Sequence, residues 1–173
     1  MKRRVAIGAV LVAVVALGAT YAFAAPRAGA TSTSTTATTY AQNISVTGQK
    51  QGSFAKGIAV IAVSHEIVSP RDPASGLPTG KRQHKPITIT MELGATTPKF
   101  LNALVTNENL TSVLIGLLRN GTKVATIKLT NANVARYGQT DQNVQLDFTY
   151  QKITWTWVNG GITASDDWEA PVG

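Results

Sequence analysis

The chain has 173 residues, a formal net charge of +7 and a hydrophobic fraction of 43%, which together favour one globular domain with or without tails. It contains no cysteine and only two histidines, so disulfide bridges, thiolate metal sites and histidine-rich metal sites are excluded. Three of the 16 basic residues lie at the extreme N-terminus, and the mild excess that remains does not indicate a nucleic-acid-binding protein.

The first 24 residues have the three parts of a secretory signal peptide. The basic residues 2–4 precede an apolar run over residues 5–17, and AFA at residues 22–24 places small residues where a signal peptidase reads them. We therefore predict export, with cleavage after Ala24. The alternative is a retained membrane anchor, because the uncharged stretch from Val5 to Ala25 is 21 residues long.

A Thr/Ser-rich stretch follows, with TSTSTTATT at residues 31–39. It has no apolar periodicity and almost no charge, so it cannot bury a hydrophobic core. We predict a flexible linker over residues 25–42 and a folded domain over residues 43–173.

Strand patterns dominate the predicted domain. The run GIAVIAVSHEIV, which begins at Gly57, is nearly continuously apolar and is predicted to be buried on both faces. In the next run, PITITMEL, alternation assigns four residues to the core, namely Ile87, Ile89, Met91 and Leu93.

One segment, TTPKFLNALVTNENL, has helical periodicity instead. Thr97 is a suitable N-cap, and Pro98 suits the first turn of a helix. We predict a helix from Pro98 to Asn107 that flanks the sheets. Helical spacing places four apolar side chains on one face, namely Phe100, Leu101, Leu104 and Val105.

Four further runs, SVLIGLLR, TIKLTNANV, NVQLDFTY and KITWTWV, are predicted strands. Asn120-Gly121 predicts a two-residue hairpin turn between two strands, because both residues adopt positive φ readily. In the last run, alternation assigns Ile153, Trp155 and Trp157 to the core. The predicted fold is mainly β, a barrel or two-sheet sandwich of roughly seven to nine strands with one flanking helix.

The most unusual stretch is the basic loop SPRDPASGLPTGKRQHKP, from Ser69 to Pro86, which holds four prolines and four Lys or Arg residues. It does not match a phosphate-binding loop. Gly76 and Gly80 are one residue too close together, and Arg82 stands where a magnesium-binding hydroxyl is required. Nucleotide binding is therefore not expected.

A hydrolase would need a nucleophile beside a histidine. Ser64 and His65 are neighbours and would face opposite sides of a strand, and no carboxylate adjacent in sequence orients His84 toward Ser69. The acidic segment at residues 166–169 lacks the alternating ligands and glycine of an EF-hand loop. We therefore predict no catalytic residue, no cofactor and no metal site.

Several stretches together resemble the haemolysin-coregulated protein (Hcp) family, the tube subunits of type VI secretion systems. In the order of the family, they are SHEIVSPRDPASGLPTGKRQHKPITITMEL, TPKFLNALVTNENLTSV, TIKLTNANV and FTYQKITWTWVNGGITASDDWE. The resemblance implies a barrel-like body of two β-sheets with one flanking helix, and homohexameric rings that stack into a hollow tube. It also implies a structural role without catalysis, with secreted effector proteins in the ring lumen as further partners.

In this family the long loop contacts neighbouring subunits, and its prolines here reduce the entropy lost on docking. We expect the loop cations to meet the acidic C-terminal segment of another copy, with a tryptophan beside it. The predicted contact residues are Arg71, Lys81, Arg82, Lys85, Asp166, Asp167, Trp168 and Glu169. The alternative is a loop that folds back on its own domain.

The predicted signal peptide distinguishes this chain from tube subunits that are made and used in the cytoplasm. We expect a secreted Hcp-like protein that touches a membrane only through its N-terminal segment, if that segment is uncleaved, and that binds no nucleic acid. The alternative function is a secreted monomeric β-sandwich module that contacts a surface glycan or protein through Trp168 and the basic loop.

Overall fold

The computed structural model describes residues 38–169 as ten β-strands and one α-helix. The predicted signal peptide and the predicted linker up to residue 37 lie outside the described residues. Within residues 38–169, no helix is long and apolar enough to cross a membrane. The elements are β1 (Tyr40–Gly48), β2 (Gly52–Val60), β3 (Ala62–Ser64), β4 (Ile67–Val68), β5 (Gln83–His84), β6 (Ile87–Glu92), α1 (Thr97–Val105), β7 (Leu110–Arg119), β8 (Thr122–Thr140), β9 (Asn143–Trp157) and β10 (Ile162–Asp167).

In the described part of the chain, eight strands form one antiparallel sheet in the order β2-β1-β7-β8-β9-β6-β3, with β10 beside the second half of β9. The end strands β2 and β3 are separated only by Ile61, whose N–H donates to the Thr90 carbonyl (2.8 Å). The sheet therefore curls until these two edges meet, which makes it a barrel. The predicted mainly β fold with one helix is confirmed.

The barrel is filled by side chains that alternate along its strands. Ile87, Ile89 and Met91 are buried, as the alternation predicts, but Leu93 is exposed because β6 ends at Glu92. The rings of Phe54, Phe100 and Phe148 pack edge to face in series, with centroids 5.1 and 6.3 Å apart. The core therefore joins the sheet to the helix.

Helix α1 covers the barrel with a narrower apolar face than the sequence predicts. It spans Thr97–Val105 and buries Phe100 and Ala103, whereas Leu101 and Val105 are exposed. Thr97 is not the N-cap, because its hydroxyl accepts the Gly94 N–H (3.0 Å) and the helix begins one residue earlier than predicted. A single short helix that packs on a barrel buries only the side chains that face the core, and its other apolar side chains remain exposed.

The prediction that GIAVIAVSHEIV is one strand buried on both faces is wrong. The chain bends within this segment, so that it contributes the end of β2 and the short strands β3 and β4. Ile61 and Ile67 are exposed. These residues lie where the two sheet edges meet and where the long loop begins, and neither place is covered by another layer.

The two longest strands, β8 and β9, change the face that points inward halfway along their length. On β8 the buried residues change from Ile127 and Leu129 to Ala132 and Val134. Between them, Asn131 has φ of 49° and donates from its amide to Gln151 on β9 (2.7 Å). Core residues lie on both sides of this change of face, so each half of the pair of strands lines the barrel with its own set of alternate side chains.

Trp155 and Trp157 lie at the end of β9, and the prediction that they belong to the core is wrong. They share a sheet face with buried Ile153, as the alternation predicts, but they are 37% and 42% exposed. On β9 the core ends at Ile153, and beyond it the described chain covers this face only in part, with His65 packed on Trp155.

Candidate functional site

The long loop runs between β4 and β5 and is shaped by its own hydrogen bonds. The Asp72 carboxylate accepts the N–H groups of Ala74 (3.1 Å) and Ser75 (2.7 Å) and the Ser75 hydroxyl (2.7 Å). These bonds, above all the one from the Ser75 hydroxyl, lower the pKa of Asp72. The Asp72 N–H in turn donates to the Leu77 carbonyl (2.9 Å). The loop is therefore a folded structure and not an open excursion.

The tip of the loop presents an apolar side chain to solvent. Arg71 forms an antiparallel bridge with Pro78, and its guanidinium donates to the Gly76 carbonyl (3.0 Å). These contacts hold Leu77 at the tip, where it is 65% exposed. A leucine fixed in this way loses little conformational entropy when it docks.

Both histidines of the chain connect the two ends of the loop to the barrel. We call these two ends, residues 65–68 and 82–85, the loop root. The Tyr150 hydroxyl on β9 lies 2.9 Å from Nε2 of His65 and 3.0 Å from Nδ1 of His84. The second ring nitrogen of His84 lies 2.6 Å from the Asp166 carboxylate on β10. We call these four residues the histidine network.

Arg82 extends the histidine network. Its Nε donates to Asp166, to the same oxygen that contacts His84, and its Nη2 donates to the Asp167 carbonyl (2.9 Å). The bond from Arg82, reinforced by the bond from His84, holds the pKa of Asp166 below its usual range. The loop root is thus tied to β10 by a charge-assisted pair.

The structure bears on two sequence-based expectations about these residues. Arg82 and Asp166, which are predicted to meet across a contact between copies, contact each other within one chain, as in the alternative of a loop folded on its own domain. No carboxylate is adjacent to His84 in sequence, and Asp166 reaches it from 82 residues away. The pairing of β10 with β9 brings the carboxylate there.

The histidine network has the connectivity of an acid–base–nucleophile triad without the electrostatics of one. Burial, followed by the charge of Asp166, raises the pKa of Tyr150 to about 12. An activated nucleophile needs a lowered pKa, so Tyr150 acts here as a hydrogen-bonding group. Within residues 38–169, no group of three His, Asp or Glu side chains could hold a metal ion.

A shallow cleft of about 230 Å³ lies beside the histidine network. Trp168 forms one wall, half exposed, with its ring edge-on to His84 and centroids 5.7 Å apart. Trp168 therefore lies at the surface, where a contact residue must be, and its role in a contact stays a prediction. The cleft is lined by His84, Lys85, Pro86, Thr149, Tyr150 and Trp168.

The other predicted contact residues lie on either side of this cleft. Arg71, Lys81 and Lys85 are exposed on the loop, Glu169 is exposed, and Asp167 is partly buried at the end of β10. In the described residues, ion pairs involve none of these five. Their part in a contact between copies stays a prediction.

The partly exposed end of β9 and the adjoining strand β10 form a second candidate surface, which sequence reasoning missed. Trp157 and Ile162 are neighbours across β9 and β10, as are Trp155 and Ala164. The groove between them has a volume of about 350 Å³. We call it the apolar groove, and it is lined by Leu117, Ala125, Trp155, Thr156, Trp157, Ile162 and Ala164.

Comparison with known proteins identifies relatives for most of the chain. The family described as "Type VI secretion system effector, Hcp" matches residues 27–157. The major exported protein of Pseudomonas aeruginosa is 35% identical, over 75% of this chain and 95% of the relative. A crystal structure of an Hcp protein matches with a TM-score of 0.68 and 26% identity, over 74% of this chain and 99% of its own. The secreted protein Hcp3 from Pseudomonas aeruginosa matches with a TM-score of 0.63 and 27% identity, over the same shares.

Proposed function

Because this chain belongs to the Hcp family of type VI secretion tube proteins, which are structural proteins that form hexameric rings, we propose that it assembles with copies of itself through its long loop. The observation that carries the proposal is the presence, on one chain, of a rigid apolar tip and of an uncovered apolar groove elsewhere. Two different surfaces that fit each other make a head-to-tail contact, and such contacts can close into rings.

The tip of the loop and the apolar groove match in size and polarity. Leu77 is held at the tip by the loop's own hydrogen bonds, and Trp155, Trp157 and Ile162 leave an apolar groove open. Its volume of about 350 Å³ is ample for one leucine, since an apolar cavity of ~150 Å³ accommodates benzene. Uncovered apolar surface of this kind marks a contact site.

The charges beside the tip and those beside the groove are opposite in sign. Arg71 and Lys81 flank the tip, while Asp167 and Glu169 lie at the end of β10, the strand that lines the apolar groove. A tip that enters the groove of another copy brings the cations toward the acids. Such exposed pairs set orientation and association rate more than affinity, which leaves Leu77 as the anchor.

We place this assembly outside the cytoplasm. The signal-like residues 1–24, with cleavage after Ala24, and the names of two relatives, a major exported protein and a secreted Hcp3, support export. The linker would then span from residue 25 to the start of β1 at Tyr40, a little before the predicted domain start at residue 43. Effector proteins are the expected cargo of a ring lumen.

Cysteine cross-linking tests the contact directly, because the chain has no cysteine of its own. Purified L77C and I162C chains are mixed and oxidised, so that a disulfide between the two forms only across copies. A disulfide requires Cα atoms within about 7 Å, so we expect a cross-linked pair in high yield. The matched control is L77C mixed with L101C, whose cysteine lies exposed on α1 away from the groove.

The outcomes separate the assembly from its proposed contact. Light scattering of the unmodified chain reports the mass, and six copies are expected. A monomer at high concentration would overturn the assembly and favour the binding-module alternative. A ring that gives no L77C–I162C product, or equal product with L101C, would retain the assembly and overturn the contact.

A further inference from the structure

The histidine network at the loop root has a limited capacity for protons. The Tyr150 hydroxyl can donate one hydrogen bond and accept two. With both histidines neutral, every group is satisfied when His84 donates from Nε2 to Asp166, Tyr150 donates to Nδ1 of His84, and His65 donates from Nε2 to Tyr150. The neutral network is therefore complete.

One added proton leaves the network complete. A doubly protonated His84 donates to both Asp166 and Tyr150. The neutral His65 then takes the tautomer with its proton on Nδ1, and its Nε2 accepts a hydrogen bond from the Tyr150 hydroxyl. The carboxylate of Asp166 offsets the new charge. The number of hydrogen bonds is unchanged.

A second proton, on His65, does not fit. Both imidazolium rings would then donate to Tyr150, at 2.9 and 3.0 Å, and the Tyr150 hydrogen would have no acceptor in the network. Two positive charges would also face each other across one oxygen. Burial, followed by the charge of His84, accordingly lowers the pKa of His65 from its ordinary 6.5.

The surroundings offer His65 no carboxylate of its own. Strand β9 faces it with Tyr150 and with the ring of Trp155, whose centroid is 5.7 Å away. The loop root contributes the cations Arg82 and Lys85 beside His84, and β10 contributes Asp166, which Arg82 and His84 already share. The adjacent Glu66 forms no ion pair with His65 within residues 38–169, so a charge on His65 would gain no carboxylate partner.

We propose that the histidine network is a proton-sensitive latch, which a second proton opens by separating His65 and the loop root from Tyr150 on β9. His65 also packs on Trp155, which lines the apolar groove, so opening disturbs both the loop and the groove. Acid should therefore release assembled copies. This consequence for assembly rests on the proposed function, whereas the latch itself does not.

Hydrogen exchange of the full chain between pH 8 and pH 5 tests the latch. After correction for intrinsic exchange rates, the amides of β3 to β6 report opening of the loop root. One extra proton bound in the open state changes the opening equilibrium about tenfold per pH unit. We expect this slope below the ordinary histidine pKa of 6.5, with no such change in the amides of β7.

His65→Gln is the decisive variant, because its neutral amide nitrogen replaces Nε2 as the donor to Tyr150 and cannot be protonated. It should remain closed in acid. Tyr150→Phe is a second variant, which removes the shared oxygen and should exchange faster at pH 8 without the acid slope. A flat response in the unmodified chain, or an equal slope in His65→Gln, would overturn the latch.

Oligomeric mass measured at the same pH values tests the link to assembly. A ring that dissociates in acid in the unmodified chain and persists in His65→Gln supports the link. A ring that persists while the loop root opens overturns it. A chain that is monomeric already at pH 8 overturns the proposed assembly, and the exchange measurement still decides whether the latch exists.

Discussion

Glu108 is the buried charge on which two turns of the chain converge. It is 1% exposed, and its carboxylate accepts the N–H groups of Lys50 and Gln51, both at 2.7 Å, and the Gln51 side-chain amide at 2.8 Å. A side chain on Gly48 would overlap that carboxylate, so only glycine fits there. Glu108 therefore fixes the β1–β2 turn against the segment between α1 and β7.

Replacement of Glu108 should be among the most destabilising single changes in the barrel. Glu108→Ala leaves three donors without their acceptor, and we expect a loss of about 3 kcal/mol in the free energy of unfolding. Glu108→Gln keeps one oxygen and should lose about half as much. Urea denaturation measures both, and exposed Glu92→Gln is the control, expected to change stability by no more than about 0.5 kcal/mol.

The contribution of Glu108 to the stability of the fold should be lost at acidic pH. Burial by itself raises the pKa of Glu108, but the bonds from Gln51 and Lys50 outweigh it, so the pKa lies below its ordinary 4.5. Its stabilisation is then complete above pH 4.5 and is lost as the pH falls through the lowered value. A difference between the chain and Glu108→Gln that grows in acid would contradict this account.

At the scale of elements, the β7–β8 hairpin holds the residue that precedes β1 against the barrel. Asn120 and Gly121 have φ of 50° and 75°, the left-handed values of a two-residue turn. The Asn120 side chain accepts the Thr39 N–H, and its own N–H donates to the Thr39 carbonyl, both at 2.8 Å. One turn thus sets the register of β7 with β8 and secures the residue before β1.

Gly121→Ala should strain this turn without creating a clash. A Cβ there meets no atom within 4 Å, so the penalty is the left-handed conformation alone, roughly 1 kcal/mol. Thermal unfolding measures the loss. Gly80→Ala is the matched control, since it is equally open and lies outside the left-handed region. Equal stability of the two variants would show that the turn is not strained.

On the scale of the whole molecule, the predicted contact residues that form no ion pair within residues 38–169 are divided between two regions. Lys81 and Arg71 lie on the loop, and Asp167 and Glu169 lie at the end of β10. A head-to-tail contact between copies brings the two regions together. Arg82 is not available for this purpose, because it neutralises Asp166 of its own chain.

Lys81→Glu should weaken assembly without affecting the fold. Reversal of one exposed charge beside the anchor replaces an attraction with a repulsion, and we expect roughly tenfold weaker association at low salt. The difference should shrink as salt screens the charges. Concentration-dependent light scattering measures it, with exposed Lys56→Glu on β2 as control. Equal weakening by both variants would mean that only net charge matters.

Alternation and turn chemistry predict much of the fold because they act between near neighbours. The burial of Ile87, Ile89 and Met91 and the hairpin at Asn120-Gly121 follow from two-residue patterns. Strand β1 and the first part of β2 escape prediction because polar residues and glycines interrupt their apolar residues, and their places depend on pairing with β7 and with each other.

The candidate site is harder to predict than the fold. His65 and His84 flank the loop in the sequence, which is a weak signal that both serve its root. Their partners Tyr150 and Asp166 lie 66 to 85 residues further along the chain and carry no local pattern. Prediction of the loop cations as contact residues therefore could not separate Arg82, which is used internally, from Lys81, which is not.

The sequence by itself determined the strand-rich class, the family resemblance and, on β6 and at the end of β9, which side chains share a face of the sheet, because period-two geometry is local. Only the tertiary structure decided how deep each face is buried, and so left Trp155 and Trp157 exposed while it covered Ile153. It also decided which distant charges meet. The physical reason is that burial and pairing depend on what packs opposite a residue, and closure of the barrel brings together segments that no local pattern relates.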